Sequence, residues 1–243
     1  MIRIRALHKR YGDFTALRRL DLEIGAGELF GLLGPNGAGK TTTLQILAGL
    51  LAPDGGSAAL CGFDVCTQRD QARRRAGYVP DRPYVYDRLT GRELLGFVAE
   101  LYGMDRAAGR DATARWLERF DLSARADELI ASYSHGMTQR VALAATLLPD
   151  PQVLIIDEPM VGLDPRGARL LKDLMRERCQ DGKVVLMSTH SLEVAEQTCD
   201  RVGILHRGAL VELGTLDQLR ARSASQGQSL EAIFLEMTGD PLV

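Results

Sequence analysis

The chain has 243 residues, enough for one large domain or a domain carrying an inserted subdomain, and its 45% hydrophobic content suffices for a sizeable core. A net charge of −2 and a pI near 6.1 lack the basic excess of a domain that lives on nucleic acid, so no nucleic-acid partner is expected. Four scattered cysteines, Cys61, Cys66, Cys179 and Cys199, offer only one close pair; a zinc site needs a second, so reduced thiols and no zinc are expected.

The opening stretch MIRIRALHKR alternates apolar and basic residues as a strand does and has no apolar core of a signal peptide. Ile2, Ile4 and Ala6 alternate, Leu20, Leu22 and Ile24 alternate, and Leu29 to Leu33 form a continuous apolar run, so residues 2–33 read as strands. Between the first two, Lys9-Arg10-Tyr11-Gly12 reads as a turn that puts Tyr11 on a loop. Next comes Gly34 to Thr41, GPNGAGKT, which fits G-x-x-x-x-G-K-[ST] between an apolar strand and an apolar helix (Leu44, Ile46, Leu47, Leu50). In the loop Gly34-Pro35-Asn36-Gly37-Ala38-Gly39 the glycines let the backbone curl until successive N–H groups converge on a polyphosphate, with a helix N-terminus behind them. Lys40 is placed to reach the β- and γ-phosphates and Thr41 to offer its hydroxyl to Mg²⁺. Bound nucleoside triphosphate with Mg²⁺ is the expectation.

Pro53 to Gly56 reads as a turn, Ser57 to Gly62 as a short strand, Arg69 to Arg75 as a solvated helix end, and Gly77-Tyr78-Val79-Pro80-Asp81 as a strand halted by proline. From Leu89 to Pro149 the texture is helical. Thr90 and Glu93 form a capping box, Leu94, Leu95, Val98, Leu101 and Tyr102 recur with helical spacing, Trp116, Leu117 and Phe120 close a second helix, and a third begins near Gly136. Its run Val141 to Leu148 is the longest nearly apolar one, far short of the roughly 20 residues that cross a bilayer, so any membrane role comes through a partner. Strands resume with Val153 to Ile156, which ends in Asp157-Glu158. Asp164-Pro165 starts a helix that Gly182 ends; Lys183 to Met187 is a buried strand ending in Ser188-Thr189-His190; Arg201 to Leu205 and Leu210 to Leu213 make a hairpin. Residues 223–228 read as a linker, and Leu230, Ile233, Phe234 and Met237 as one face of an amphipathic helix.

The fold class expected is α/β, a P-loop NTPase core with an N-terminal antiparallel β part and an α-helical subdomain inserted at about 82–150. In such a sheet ligands bind beyond the carboxyl ends of the strands. An acidic pair there suits a cation and a water: Asp157 as a Mg²⁺ partner, Glu158 free to orient or deprotonate the water attacking a γ-phosphate, with His190 donating to a γ-oxygen.

These residues resemble the ATP-binding cassette (ABC) ATPases over nearly the whole chain, which makes 1–222 the ATPase domain and 223–243 a linker and C-terminal helix. Gly34 to Thr41 resembles the Walker A motif, with Thr42 following it; Val153 to Pro159 resembles Walker B with Glu158 as catalytic carboxylate; Gly162-Leu163-Asp164 resembles the D-loop; Ser188-Thr189-His190 the switch histidine. The resemblance implies that Tyr11 stacks on adenine and that Lys40, Glu158 and His190 carry hydrolysis. It implies ATP and Mg²⁺, a head-to-tail homodimer in which Ser134, Gly136 and Asp164 reach the nucleotide of the other copy, and an integral membrane subunit at the inner face of the cell membrane. Two departures stand out. Tyr133-Ser134-His135-Gly136-Met137 replaces Leu-Ser-Gly-Gly-Gln and is similar to the simple bacterial exporter subgroup, and Asp81 stands where a glutamine usually links the Mg²⁺ site to the membrane subunit. The alternative is a non-transport ABC ATPase of translation or DNA maintenance; the double cassettes and the coiled-coil or zinc insertions usual there are missing.

Overall fold

The computed structural model describes residues 1–222 together with Phe234. In chain order its elements are β1 (Ile2–Tyr11), β2 (Phe14–Ile24), β3 (Leu29–Leu33), α1 (Lys40–Leu47), β4 (Gly55–Leu60), β5 (Phe63–Asp64), α2 (Arg69–Arg73), β6 (Ala76–Val79), α3 (Gly91–Leu101), α4 (Arg106–Arg119), α5 (His135–Leu147), β7 (Val153–Asp157), α6 (Pro165–Gln180), β8 (Val184–Thr189), α7 (Leu192–Thr198), β9 (Arg201–His206), β10 (Ala209–Gly214) and α8 (Leu216–Arg222). The strands form one sheet in the order β5-β4-β1-β2-β10-β9-β3-β8-β7-β6.

The chain divides into two compact units: residues 1–78, 152–160 and from 171 onward in one, and 79–151 with 161–170 in the other. In the first, β3, β7 and β8 are buried at every position and pair in parallel. Strands covered on both faces read as unbroken apolar runs, which is why their sequences do not alternate. The outer strands β1, β2, β4 and β5 pair antiparallel, and β9 with β10 makes the expected hairpin. The fold is a mixed α/β sheet of the P-loop NTPase type. Cys179 and Cys199 are buried free thiols; burial pushes Cys179 up to about 11 and Cys199 up as well, so neither is a ready thiolate.

Two local expectations fail in this unit. Ala6 does not continue the inward series of Ile2 and Ile4: the ladder shifts register between Ile4 and Leu7, Ala6 turns left-handed with φ 46°, and its N–H donates to Asp21 Oδ1 at 2.8 Å. Leu7 takes the buried place instead. This is a β-bulge, one extra residue in one strand of the pair. Nor is Lys9 to Gly12 a turn. The ladder runs on through Lys9↔Leu17, Arg10↔Thr15 and Tyr11↔Phe14, and the Asp54 carboxylate ties it down, accepting from Lys9 Nζ at 2.9 Å and from the Arg10 N–H at 2.7 Å. The reversal is left to Gly12 and Asp13.

The second unit is helical. Thr90 caps α3 reciprocally with Glu93, through bonds of 3.1 and 2.8 Å, and Asp105 caps α4 by accepting from Ala107 and Ala108 N–H. The block expected at 82–150 differs from the unit found, which takes in 161–170 as well. Among the described residues no helix is long and apolar enough to cross a membrane. The expected linker and amphipathic helix over 223–243 lie outside the described residues except for Phe234, which is buried.

Candidate functional site

Register brings the first half of the site together. Leu33 pairs with Thr189 across β3 and β8, and Asp157 pairs with Ser188 across β7 and β8. The loop from Gly34, the pair Asp157-Glu158, and His190 therefore leave the sheet side by side at the carboxyl ends of adjacent parallel strands.

The loop is shaped by close approach. Gly39 has φ +105°, and a Cβ there would lie 2.5 Å from Ala16 O, so only glycine lets α1 start this near the sheet. Thr43 fastens the start of the helix, its N–H and hydroxyl both donating to Gly39 O at 3.0 and 2.9 Å. Lys40, buried in the first turn, donates from Nζ to Gly34 O at 2.6 Å and Pro35 O at 3.2 Å. Burial holds its pKa below the usual lysine value, offset by the Glu158 and Asp157 carboxylates. Asn36, Gly37 and Thr41 are exposed; Pro35 and Thr42 are half-buried and Ala38 is buried.

Opposite Lys40 stand the two acids. Asp157 is 4% exposed and accepts a short hydrogen bond on Oδ1 from Ser188 Oγ. Glu158 has φ 50°, a left-handed conformation that costs a non-glycine residue about 1 kcal/mol or more and gathers at functional sites. Its N–H donates to both Ser188 O and Ser188 Oγ at 3.2 Å. Its carboxylate lies between two nitrogens, Oε1 at 3.8 Å from Lys40 Nζ and Oε2 at 3.0 Å from His190 Nδ1. Ser188 is the residue that sequence reasoning missed: it was seen only as part of a strand end, yet it grips both acids. A hydroxyl directly opposite an acidic pair on a neighbouring parallel strand is the signal that was available.

Tyr11 projects an exposed ring, 47% accessible, from the end of β1, with Lys9 Nζ 5.7 Å from its centroid. In the helical unit, Ser134 is the N-cap of α5, its Oγ accepting from Met137 N–H at 3.3 Å. A Cβ on Gly136 would meet no atom within 4 Å. Asp164 spends its Oδ1 on capping α6 through Gly167 N–H at 2.7 Å. Asp81 is an exposed residue of this same unit.

The first unit's residues fit a triphosphate with its Mg²⁺. Among the described residues, the buried ammonium of Lys40 donates to two loop carbonyls and lies 3.8 Å from the Glu158 carboxylate. The Asp157 carboxylate is buried with one oxygen spent on Ser188, and the Thr41 hydroxyl is accessible at the start of the helix.

A phosphate-binding loop, an acidic strand end and a strand-end histidine on one parallel sheet define a P-loop nucleoside triphosphatase. The chain belongs to the ABC transporter family, whose match covers residues 17–161, and it has an ABC ATPase fold. The Nod factor export ATP-binding protein I of Burkholderia orbicola is 41% identical over 88% of this chain and 70% of its own length. The probable multidrug ABC transporter ATP-binding protein YbhF of Escherichia coli is 36% identical over 99% of this chain, which spans 42% of that relative's length. Among solved structures, an ATP-binding subunit of an ABC transporter superposes with a TM-score of 0.92 at 34% identity, covering 98% of this chain and 99% of the other. The dimeric post-hydrolysis state of the cassette MJ0796, bound to ADP and Pi, does so at 0.79 and 27% identity, covering 89% and 99%.

Proposed function

We propose that this chain is the energy-coupling ATPase subunit of an exporter, peripheral at the inner face of the cell membrane through an integral membrane subunit, and that it works as a head-to-tail pair of copies. The observation that carries the ATPase chemistry is the Glu158 carboxylate suspended between Lys40 and His190. Export is supported by relatives such as the Nod factor export protein, and pairing by the dimer of a related cassette with ADP and Pi.

In this reading Tyr11 stacks on adenine, and the N–H groups from Gly34 to Thr42 cradle the phosphates. Lys40 releases its loop carbonyls for β- and γ-oxygens. Thr41 and Asp157 would hold Mg²⁺; when bound, the ion supplies positive charge to the phosphate oxygens. Ser134 and Gly136 of the second copy, by hydroxyl and N–H, and its Asp164 segment complete the γ-phosphate contacts. Glu158 orients a water in line with the γ-phosphate and accepts its proton, while His190 and Lys40 meet the charge spreading over the transferring group. Hydrolysis leaves two anions that repel, and the pair opens.

The test is purification of the protein from membranes under gentle detergent. An integral membrane protein is expected to accompany it and to change its ATPase rate. Recovery with ribosomes or nucleic acid instead, without a membrane partner, would overturn the exporter reading.

A further inference from the structure

Within the helical unit, the helix end that carries Ser134 and Gly136 also holds the main chain just beyond β7. Gly162 has φ +78°, and a Cβ there would lie 2.5 Å from His135 Nε2 and 2.6 Å from its Cδ2. Real Cβ contacts essentially never fall below 3.0 Å, so the imidazole occupies the space a side chain at 162 would need. One helical turn further along α5, Gln139 is 4% exposed and donates from Nε2 to Val161 O at 3.1 Å. Its Oε1 is buried with no hydrogen-bond partner among the described residues. That is a costly arrangement for an amide whose visible service is to hold one carbonyl. Two residues later, Asp164 caps α6. The segment 161–164 is thus fastened at three successive points, two of them on α5.

We infer that His135 and Gln139 are positioning residues for ATP hydrolysis, fixing the 161–164 segment to the N-terminal end of α5 so that both approach the other copy's nucleotide as one body. The inference rests on the paired-copy reading above. His135 is then the specific partner of Gly162: a Cβ at 162 displaces the imidazole from its place, and a smaller residue at 135 makes room for it. Neither residue touches ATP in this scheme, so loss of the fastening lowers turnover and leaves nucleotide affinity alone.

A double-mutant cycle isolates this contact, because the strain of placing alanine at φ +78° enters both arms and cancels. His135→Ala, Gly162→Ala and the double variant are compared for kcat, KM for ATP and melting temperature. Gly162→Ala alone is expected to lower kcat by about tenfold or more with KM unchanged, and the same substitution in the His135→Ala background to cost at least about threefold less. Gln139→Leu, which removes the bond to Val161 O, is expected to lower kcat with KM unchanged, and Gln139→Glu, which lacks the donor, to do the same. Independent, multiplicative effects of the two alanines overturn the inference, as does a rise in KM that accounts for the lost rate. A variant that fails to fold loses its melting transition, in which case the Gln139 pair decides. An inactive wild-type protein refutes the hydrolysis reading instead, so the two failures are distinguishable.

Discussion

The two compact units treat their functional groups in opposite ways. In the sheet unit Lys40, Glu158, His190 and Asp157 already have polar neighbours: Lys40 lies near Glu158, Glu158 against His190, and Asp157 accepts from the Ser188 hydroxyl. In the helical unit the Ser134 hydroxyl accepts from the Met137 N–H of its own helix, and a Cβ on Gly136 would meet no atom within 4 Å. Groups that will carry charge through a reaction must be pre-organised, because reorienting them during the step would add to the barrier. Groups that close over a ligand from another molecule need the reverse, an unobstructed surface. The proposed function assigns turnover to the first unit and closure to the second, and substitutions can separate the two.

The largest effect is expected at Glu158. Glu158→Gln keeps the shape and loses the base, and should lower the ATPase rate by about 10²- to 10⁴-fold while ATP still binds and the paired form accumulates. Single-turnover kinetics with light scattering will check it; hydrolysis at the wild-type rate removes Glu158 from its assigned role. Ser134→Arg strikes the other unit by placing a long cation where the γ-phosphate contact should form. It should abolish ATP-dependent pairing and lower the rate by about 100-fold or more, with ATP binding by single copies intact. The lost helix cap costs about 1 kcal/mol, so a modest fall in melting temperature is expected beside it. If Ser134→Arg pairs normally, the division between the units breaks down.

Ser188→Ala sharpens the comparison from inside the sheet unit. The serine hydroxyl donates to Asp157 and lies 3.2 Å from the Glu158 N–H; its loss leaves the two acids in place but unsupported. Partners that orient a metal ligand are worth about 10- to 100-fold in metal affinity, so the Mg²⁺ needed for half-maximal activity should rise by about tenfold. An unchanged Mg²⁺ dependence would mean that Ser188 only packs the strand.

Much of this was readable in the chain because the signals are local. GPNGAGKT between an apolar strand and helix, the Thr90–Glu93 box and the unbroken apolar runs of β3, β7 and β8 each follow from backbone sterics or burial over a few residues. What escaped depends on partners distant in sequence. Ala6 turns out of register toward the Asp21 carboxylate, 15 residues on, and the strand continues through Lys9 and Arg10, where Asp54 accepts from the Lys9 ammonium and the Arg10 N–H. The hold of Ser188 on Asp157 spans 31 residues, and that of Gln139 on Val161 spans 22. The left-handed turn of Glu158 has no sequence signal, since glutamate rarely adopts it. Propensity cannot announce a conformation that the surrounding strands impose.

The smallest expected effect concerns the charge on Lys40, and its sign follows from burial. Burial depresses the Lys40 pKa below the ordinary lysine value of 10.5, so between the depressed value and 10.5 the unfolded chain binds more protons than the folded one, and the lysine's burden on stability is relieved as pH rises through that window. Phosphate oxygens drawn to Nζ act the other way and restore the charged form, so ATP binding in the same window takes up a proton. Affinity for ATP should therefore fall as pH rises past the depressed value, by at most about tenfold per pH unit, while the melting temperature of the ATP-free protein relative to Lys40→Met rises over the same interval. Calorimetry in buffers of different ionisation enthalpy measures the proton uptake directly. Uptake that persists in Lys40→Met would assign the proton to another group and leave the buried ammonium outside the nucleotide's reach.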